Sequence, residues 1–176
     1  MKKLIVFSFL ITFSTLLCNR DYRVISQDNP GWPHISHWMW GNVVAVEENE
    51  NVADNKIQFN GVVLLTRGRQ PSYYGVQVEI VVKNDFDITG EHLLVIDIDG
   101  SKSTLKGHKS GDEQRRVSPG YHGVLLWFPT DPDYLRKLGK GKSVEFHLII
   151  RQQTISGKLS DENIERFDDF CSEFVR

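Results

Sequence analysis

Short runs of β-branched and aromatic residues, separated by turn-forming residues, recur between Val43 and Gly157. Antiparallel strands have this pattern because successive side chains alternate between a buried and a solvated face. The pattern predicts strands at Val43–Glu48, Ile57–Thr66, Val76–Lys83, His92–Asp99, Lys102–Lys106, Gly123–Phe128, Val144–Gln152 and Thr154–Gly157. No repeat of fixed length connects these strands, so repeat architectures are not indicated.

Two of the predicted strands alternate without interruption. One apolar face consists of Val76, Val78, Ile80 and Val82, and the other of Val144, Phe146, Leu148 and Ile150. Two such faces can meet in one core, as the layers of a sandwich do. We therefore predict an all-β, mainly antiparallel domain over residues 42–176, a β-sandwich or barrel-like fold, with two layers favoured over a closed barrel.

Two helices are predicted from their ends. Thr130-Asp131-Pro132 offers an N-cap with proline in the first turn, and Gly139 is expected to end that helix after about two turns. The second helix, 160–174, begins with Ser160 as its cap and follows the domain as a C-terminal amphipathic helix. Its apolar stripe is Ile164, Phe167, Phe170, Cys171 and Phe174. A stripe of this width is expected to pack on the sheet.

The first residues have the organisation of an export signal. Lys2 and Lys3 precede an uncharged apolar run, Leu4–Leu17, which is shorter than the roughly 20 residues of a membrane-spanning helix. Residues 1–17 are therefore predicted to be a signal peptide. Its removal takes away two lysines and gives a mature chain with a net charge of −4.

Cys18 lies where the apolar run ends. Thr15-Leu16-Leu17-Cys18 resembles the end of a bacterial lipoprotein signal, and the resemblance implies a diacylglycerol on Cys18 and contact with a membrane through it. The localisation implied is periplasmic or outer-membrane, as a lipoprotein. Cleavage by an ordinary signal peptidase, giving a secreted or periplasmic protein, stays open, as does a bond between a retained Cys18 and Cys171.

Residues 18–41 have no hydrophobic period and contain two prolines, two glycines and three tryptophans. We interpret this segment as an N-terminal tether or as a strap lying on the domain. Across the whole chain of 176 residues, 21 basic and 23 acidic side chains are spread without blocks, so no nucleic-acid partner is expected.

One motif suggests catalysis. Leu94-Val95-Ile96-Asp97-Ile98-Asp99-Gly100 resembles the first motif of the haloacid dehalogenase phosphatases, which implies Asp97 as nucleophile and Asp99 as acid/base. Asp99-Gly100 is also a two-residue turn pair that would join two of the predicted strands in a hairpin. We favour the hairpin and keep a carboxylate-dependent hydrolase as an alternative.

The sequence gives only weak indications of a metal site or of a reactive cysteine. His34 and His37 could share a metal ion if their segment were helical, but Pro33 argues against a helix, and we predict no metal and no cofactor. Cys171 is expected to be a small buried apolar residue rather than a nucleophile. A polar segment at 107–120 is predicted to be a long loop.

Aromatic residues give the main binding hypothesis. Trp32, Trp38 and Trp40 lie within nine residues of each other, and Tyr73 and Tyr74 precede a strand. Aromatic rings stack on sugars or anchor protein partners, although they also cover the open edge of a β-domain. The sequence thus predicts a non-enzymatic module of the cell envelope that binds a protein or a glycan; a purely structural envelope component is the other alternative.

Overall fold

The computed structural model describes residues 22–28, 34–66, 71–107 and 115–175. The strands are β1 (Arg23–Asp28), β2 (His34–Trp40), β3 (Val43–Ala45), β4 (Val52–Thr66), β5 (Pro71–Lys83), β6 (His92–Ile98), β7 (Ser101–Lys106), β8 (Arg115–Ser118), β9 (Tyr121–Thr130), β10 (Val144–Ile150) and β11 (Gln153–Lys158). The helices are α1 (Pro132–Lys140) and α2 (Asp161–Phe174). Within these ranges, no helix is long and apolar enough to cross a membrane.

The strands form two antiparallel sheets. The larger sheet has the order β1-β2-β4-β5-β9-β8, with β3 also paired to β4, and the smaller has the order β11-β10-β6-β7. A bridge between Val46 and Gly157 joins the two sheets at one edge. The predicted class, a mostly antiparallel β-sandwich-like fold with a C-terminal helix, is confirmed.

The core lies between the two sheets and beneath the helices. Phe59 of β4 is fully buried and contacts both layers: its ring centroid is 5.1 Å from that of Phe146 on β10 and 5.9 Å from that of Phe167 on α2. On β2, His37 stacks on Phe174 of α2. These contacts define the inner face of the larger sheet, on which α2 and the smaller sheet pack.

The Asp99-Gly100 hairpin is confirmed. Ile98 pairs with Ser101, and the two turn residues have φ values of 53° and 85°. Both values fall in the left-handed region that a tight hairpin turn of this kind needs. The alternating burial along β6 then puts Leu94, Ile96 and Ile98 in the core.

Helix α1 begins as predicted but ends later. The Asp131 carboxylate accepts a hydrogen bond from Tyr134 N, and Pro132 occupies the first turn. The prediction that Gly139 ends the helix is wrong, because α1 continues to Lys140. Gly139 instead lies against α2, where a Cβ atom would be 2.7 Å from Asp168 N. The missing side chain therefore permits the close approach of two helices.

Helix α2 has the predicted cap and stripe. Ser160 Oγ accepts from Asn163 N, and Asn163 Oδ1 accepts from Ser160 N, which completes a capping box. Asn163 Nδ2 also donates to Asn42 Oδ1 at 2.8 Å, so the start of the helix is joined to the segment before β3. Ile164, Phe167, Phe170 and Cys171 are buried as expected.

Three strands were not predicted. β1 and β2 lie within the segment 18–41, where they form an antiparallel pair at the edge of the larger sheet, and Pro30 and Pro33 fall between them. Part of the predicted loop at 107–120 is β8, which pairs with β9 at the opposite edge. Edge strands need few buried side chains, so their hydrophobic signal is weak. Cys18 and residues 108–114 lie outside the described residues.

Candidate binding face

The outer face of the larger sheet brings aromatic residues from three strands together. Directly paired residues share a face, and Trp38 on β2 is paired with Val62 on β4, which is paired with Gly75 on β5. Trp127 on β9 is paired with Gln77 on β5. By the alternation of each strand, Trp38, Trp40, Tyr73 and Trp127 all face away from the helices and the smaller sheet. We call these four residues the aromatic face.

The rings of the aromatic face are half-buried, and two of them are held by direct packing. A Cβ atom on Gly75 would lie 3.1 Å from Tyr73 Cε1 and 3.2 Å from its hydroxyl oxygen, so the Tyr73 ring lies across this glycine. The same ring meets Trp127 edge-on, with centroids 6.3 Å apart. Burial raises the pKa of Tyr73 above its usual value. Tyr73 and Trp127 are therefore held in place before any ligand arrives.

The aromatic residues predicted to bind a ligand do not all lie on the same face of the sheet. Trp38, Trp40 and Tyr73 lie on one face, as the binding hypothesis requires. Tyr74 points to the opposite side of β5, is 7% exposed and belongs to the core, so it is not part of this face. Trp32 lies outside the described residues. Trp127, which was not predicted as a site residue, joins the face because its neighbours Leu126 and Phe128 are buried on the inner side.

Polar and apolar side chains lie among the rings. Leu64 is paired with Tyr73, and Leu125 is paired with Glu79 in the row beside Trp127. Asn60 is 1% exposed, and its Oδ1 accepts from the backbone N–H of Asn42 at 3.4 Å. Asn60 is therefore closed to a ligand, whereas the half-buried Leu64, Leu125 and Glu79 add aliphatic and polar groups beside the rings.

A shallow depression adjoins the aromatic face at an irregular point of β4. It is lined by Val43, Lys56, Ile57, Gln58, Glu79 and Val81. The register of β4 against β5 shifts between Val52 and Ile57, where Asp54 and Asn55 have positive φ. A bulge of this kind changes the direction of the side chains that follow it. Residues 56–58, which follow this irregularity, all line the depression.

Gln58 is the unusual residue of the depression. It is 2% exposed, and its Oε1 accepts from Gly41 N at 3.2 Å, while its Nε2 has no hydrogen-bond partner among the described residues. The bond to Gly41 fixes the orientation of the amide, because a flipped amide would direct N–H groups at another N–H. A buried donor without an acceptor costs about 1–3 kcal/mol.

Asp97 and Asp99, the two carboxylates that the phosphatase resemblance implies as catalytic, are not part of the aromatic face. Asp99 accepts hydrogen bonds from Lys142 N at 2.9 Å and Ser143 N at 2.8 Å, which connects the β6–β7 turn to the loop before β10. Asp97 lies on the outer side of the smaller sheet, paired with Lys102 and Glu145. The Asp99 carboxylate therefore has a structural role. Within the described ranges, no group of three His, Cys, Asp or Glu residues could hold a metal ion.

The remaining candidates lie in or near the core. Residues 34–40 form a strand, so the helical spacing that a His34–His37 metal pair requires is absent; the His34 side chain is outside the described residues. His37 Nδ1 is 2.8 Å from Ser26 Oγ, and burial lowers its pKa. Cys171 is a free, buried thiol whose pKa burial raises to about 12, so it stays protonated at neutral pH and is a poor nucleophile.

Comparison of the chain with protein-family models, with curated proteins and with solved structures found no match.

Proposed function

We propose that the protein is a non-enzymatic binding module and that the aromatic face contacts its ligand, which is a glycan. The observation that carries this proposal is the packing of Tyr73 over Gly75 and against Trp127, on the side of the sheet away from both helices. Rings held in this way lose little conformational freedom on binding, and preorganisation favours affinity.

A glycan fits the mixture of groups on this surface. The C–H faces of a sugar ring stack on aromatic rings, while its hydroxyl groups need hydrogen-bonding partners at the same spacing. Trp127 and Leu125 are two residues apart on β9, and Leu125 is paired with the half-buried Glu79, so a polar side chain lies near the stacking surface. A protein partner is the second candidate, because Leu64 and Leu125 add aliphatic contacts to the same surface.

Replacing a single ring tests the proposal. We expect Trp38→Ala and Trp127→Ala each to weaken binding at least tenfold, because truncation of an anchoring aromatic residue costs more than about 1.4 kcal/mol. The measurement is binding to an array of neutral oligosaccharides of glucose, galactose, mannose and N-acetylglucosamine, followed by titration of the tightest binder. The matched control is Thr104→Ala, an exposed residue of β7 on the smaller sheet.

Unchanged affinity in both tryptophan variants would contradict the proposal, as would equal losses in these variants and in the Thr104→Ala control. Absence of binding to every oligosaccharide, with a protein captured reproducibly through the aromatic face, would favour the second candidate.

Export and attachment to a membrane through Cys18 are part of the same proposal and are supported by the pattern of residues 1–18. We expect the intact mass of the protein from its native cells to correspond to a chain that begins at Cys18 and carries a diacylglycerol. A mass that fits an unmodified mature chain would contradict attachment but not export, and the uncleaved mass would contradict both.

A further inference from the structure

We infer that the ligand is a linear carbohydrate chain that lies across the strands of the larger sheet, along a row of uncharged residues with room for about four sugar units. The inference rests on the proposed function and adds to it the form and the direction of the ligand. It makes Trp38 and Trp127 parts of one extended site.

The row follows from the register of five strands. Ile25 on β1 is paired with Trp38 on β2, and Trp38 is paired with Val62 on β4. Val62 is in turn paired with Gly75 on β5, and Gly75 is paired with Pro129 on β9. Directly paired residues share a face, so these five positions form one line across the outer face, perpendicular to the strands. We call this line the uncharged row.

Three aromatic rings follow one another along this direction. Val62 and Gly75 are buried and offer a ligand almost no surface of their own. The Tyr73 ring lies across Gly75, and its centroid is 6.3 Å from that of Trp127. Trp38 lies on the other side, two strand spacings or about 10 Å from Gly75. A ligand that contacts all three rings must therefore extend across the sheet.

The length of the uncharged row sets the number of sugar units. Its five strands are separated by four spacings of about 4.8 Å, so the row is about 19 Å long and accommodates about four sugar rings of an extended chain, one for each spacing. A single sugar can cover only one of the three aromatic rings. Affinity is therefore expected to grow with chain length and then to level off.

The uncharged row brings no charge against the ligand. Its five residues are isoleucine, tryptophan, valine, glycine and proline. Glu79, which lines the depression, is four residues from Gly75 along β5 and about 13 Å away from it. Arg23 is closer, two residues from Ile25, at the β1 end of the row. An uncharged chain can lie along the row without the cost of desolvating a charge on each of its units.

The chemistry of this surface favours a carbohydrate over a peptide. A peptide carries an N–H and a C=O group on almost every residue, and these groups would lie against apolar side chains without partners. A sugar ring instead places its apolar C–H groups on the aromatic rings and its hydroxyl groups at its rim. Gln27 and Ser36, which are paired with each other two residues further along β1 and β2, add polar groups on the same face beside the row.

The test measures how affinity depends on chain length. It uses the full mature chain and the tightest-binding sugar of the array, prepared as chains of two, three, four and six units and titrated by calorimetry. We expect affinity to rise at least tenfold from two units to four, because the longer chain reaches a further anchoring ring. We expect a change of less than threefold from four units to six, because the row ends there.

Trp38→Ala separates the extended site from a single stacking position. We expect this change to leave the affinity for two units within a factor of two and to bring the affinity for four units within threefold of that for two. Trp127→Ala should weaken the binding of both lengths, since short chains need the packed pair of Tyr73 and Trp127. Thr104→Ala on β7 is the control and should leave the length dependence unchanged.

The outcomes separate the extended site from the proposed function. Affinity that is independent of chain length but still requires Trp127 would overturn the extended site and leave the glycan proposal standing. Failure of every oligosaccharide to bind would overturn both.

The wild-type protein decides the question if Trp38→Ala does not fold. We expect a four-unit chain to shift the indole N–H signals of both Trp38 and Trp127 in ¹H–¹⁵N NMR spectra, and a two-unit chain to shift that of Trp127 alone. A four-unit chain that shifts only one of the two signals would overturn the extended site.

Discussion

Phe59→Ala is expected to lower the free energy of unfolding by about 3–5 kcal/mol, the range for removal of a buried aromatic ring. Phe59 is the residue at which β4, the smaller sheet and α2 meet, since its fully buried ring contacts both Phe146 and Phe167. Removal of the ring leaves a cavity. Neither layer can fill this cavity unless the whole layer shifts.

Urea unfolding followed by circular dichroism measures this change, provided that the slope with denaturant stays the same in both proteins. Phe59→Leu is the control, and we expect it to cost less than the alanine variant because it retains most of the buried volume. A loss below about 0.5 kcal/mol for Phe59→Ala, the range of ordinary surface substitutions, would contradict the position of β4 between the two layers.

Gly139→Ala is expected to cost about 2–3 kcal/mol, although alanine is the better helix former by about 1 kcal/mol. The added Cβ would lie 2.7 Å from Asp168 N and 2.8 Å from Asp168 Cα, and backbone atoms of α2 cannot rotate away as a side chain can. The two helices must therefore separate, which loosens the packing of Phe167 beneath them.

Thermal and urea unfolding measure the effect, and Glu165→Ala on the exposed side of α2 is the control, with an expected change within about 0.5 kcal/mol. A stabilised Gly139→Ala protein would mean that helix propensity outweighs the contact and that α1 and α2 do not approach closely at this position.

The parts of the fold that could be predicted from sequence are those whose side chains alternate. Val144 to Ile150 can be aligned from the sequence because every second residue is buried. Val76, Val78, Ile80 and Val82 form the predicted buried face of β5, although Gln77 and Val81 on the other face are buried as well. β1 could not be identified in this way, since four of its six residues, Arg23, Ser26, Gln27 and Asp28, are exposed. An edge strand obtains its hydrogen bonds from one neighbour and has little apolar surface to bury.

Gly139 illustrates a different limit. A glycine near the end of an apolar period usually ends a helix, and the sequence contains nothing that distinguishes this from a contact point. The distinction depends on Asp168, 29 residues further along the chain, and only the folded structure brings the two together. Local residue preferences do not encode contacts of this range.

The candidate site was predicted only in part for a related reason. Tyr73 and Tyr74 are neighbours in sequence, but a strand directs one to the outer face and the other to the core. Trp127 reaches the same face as Tyr73 through the pairing of β5 with β9, which the sequence does not specify. The unsatisfied donor of Gln58 is also a feature that no hydrophobic pattern indicates.

We propose that the outer face of the larger sheet is the surface that contacts the ligand. Its most direct test is photo-crosslinking in native cells, with one photoreactive residue at Leu125 on that face and, in a second protein, at Thr104 on the smaller sheet. We predict discrete crosslinked species from position 125 and none from position 104. Crosslinks from position 104 alone, or the same species from both positions, would contradict the claim.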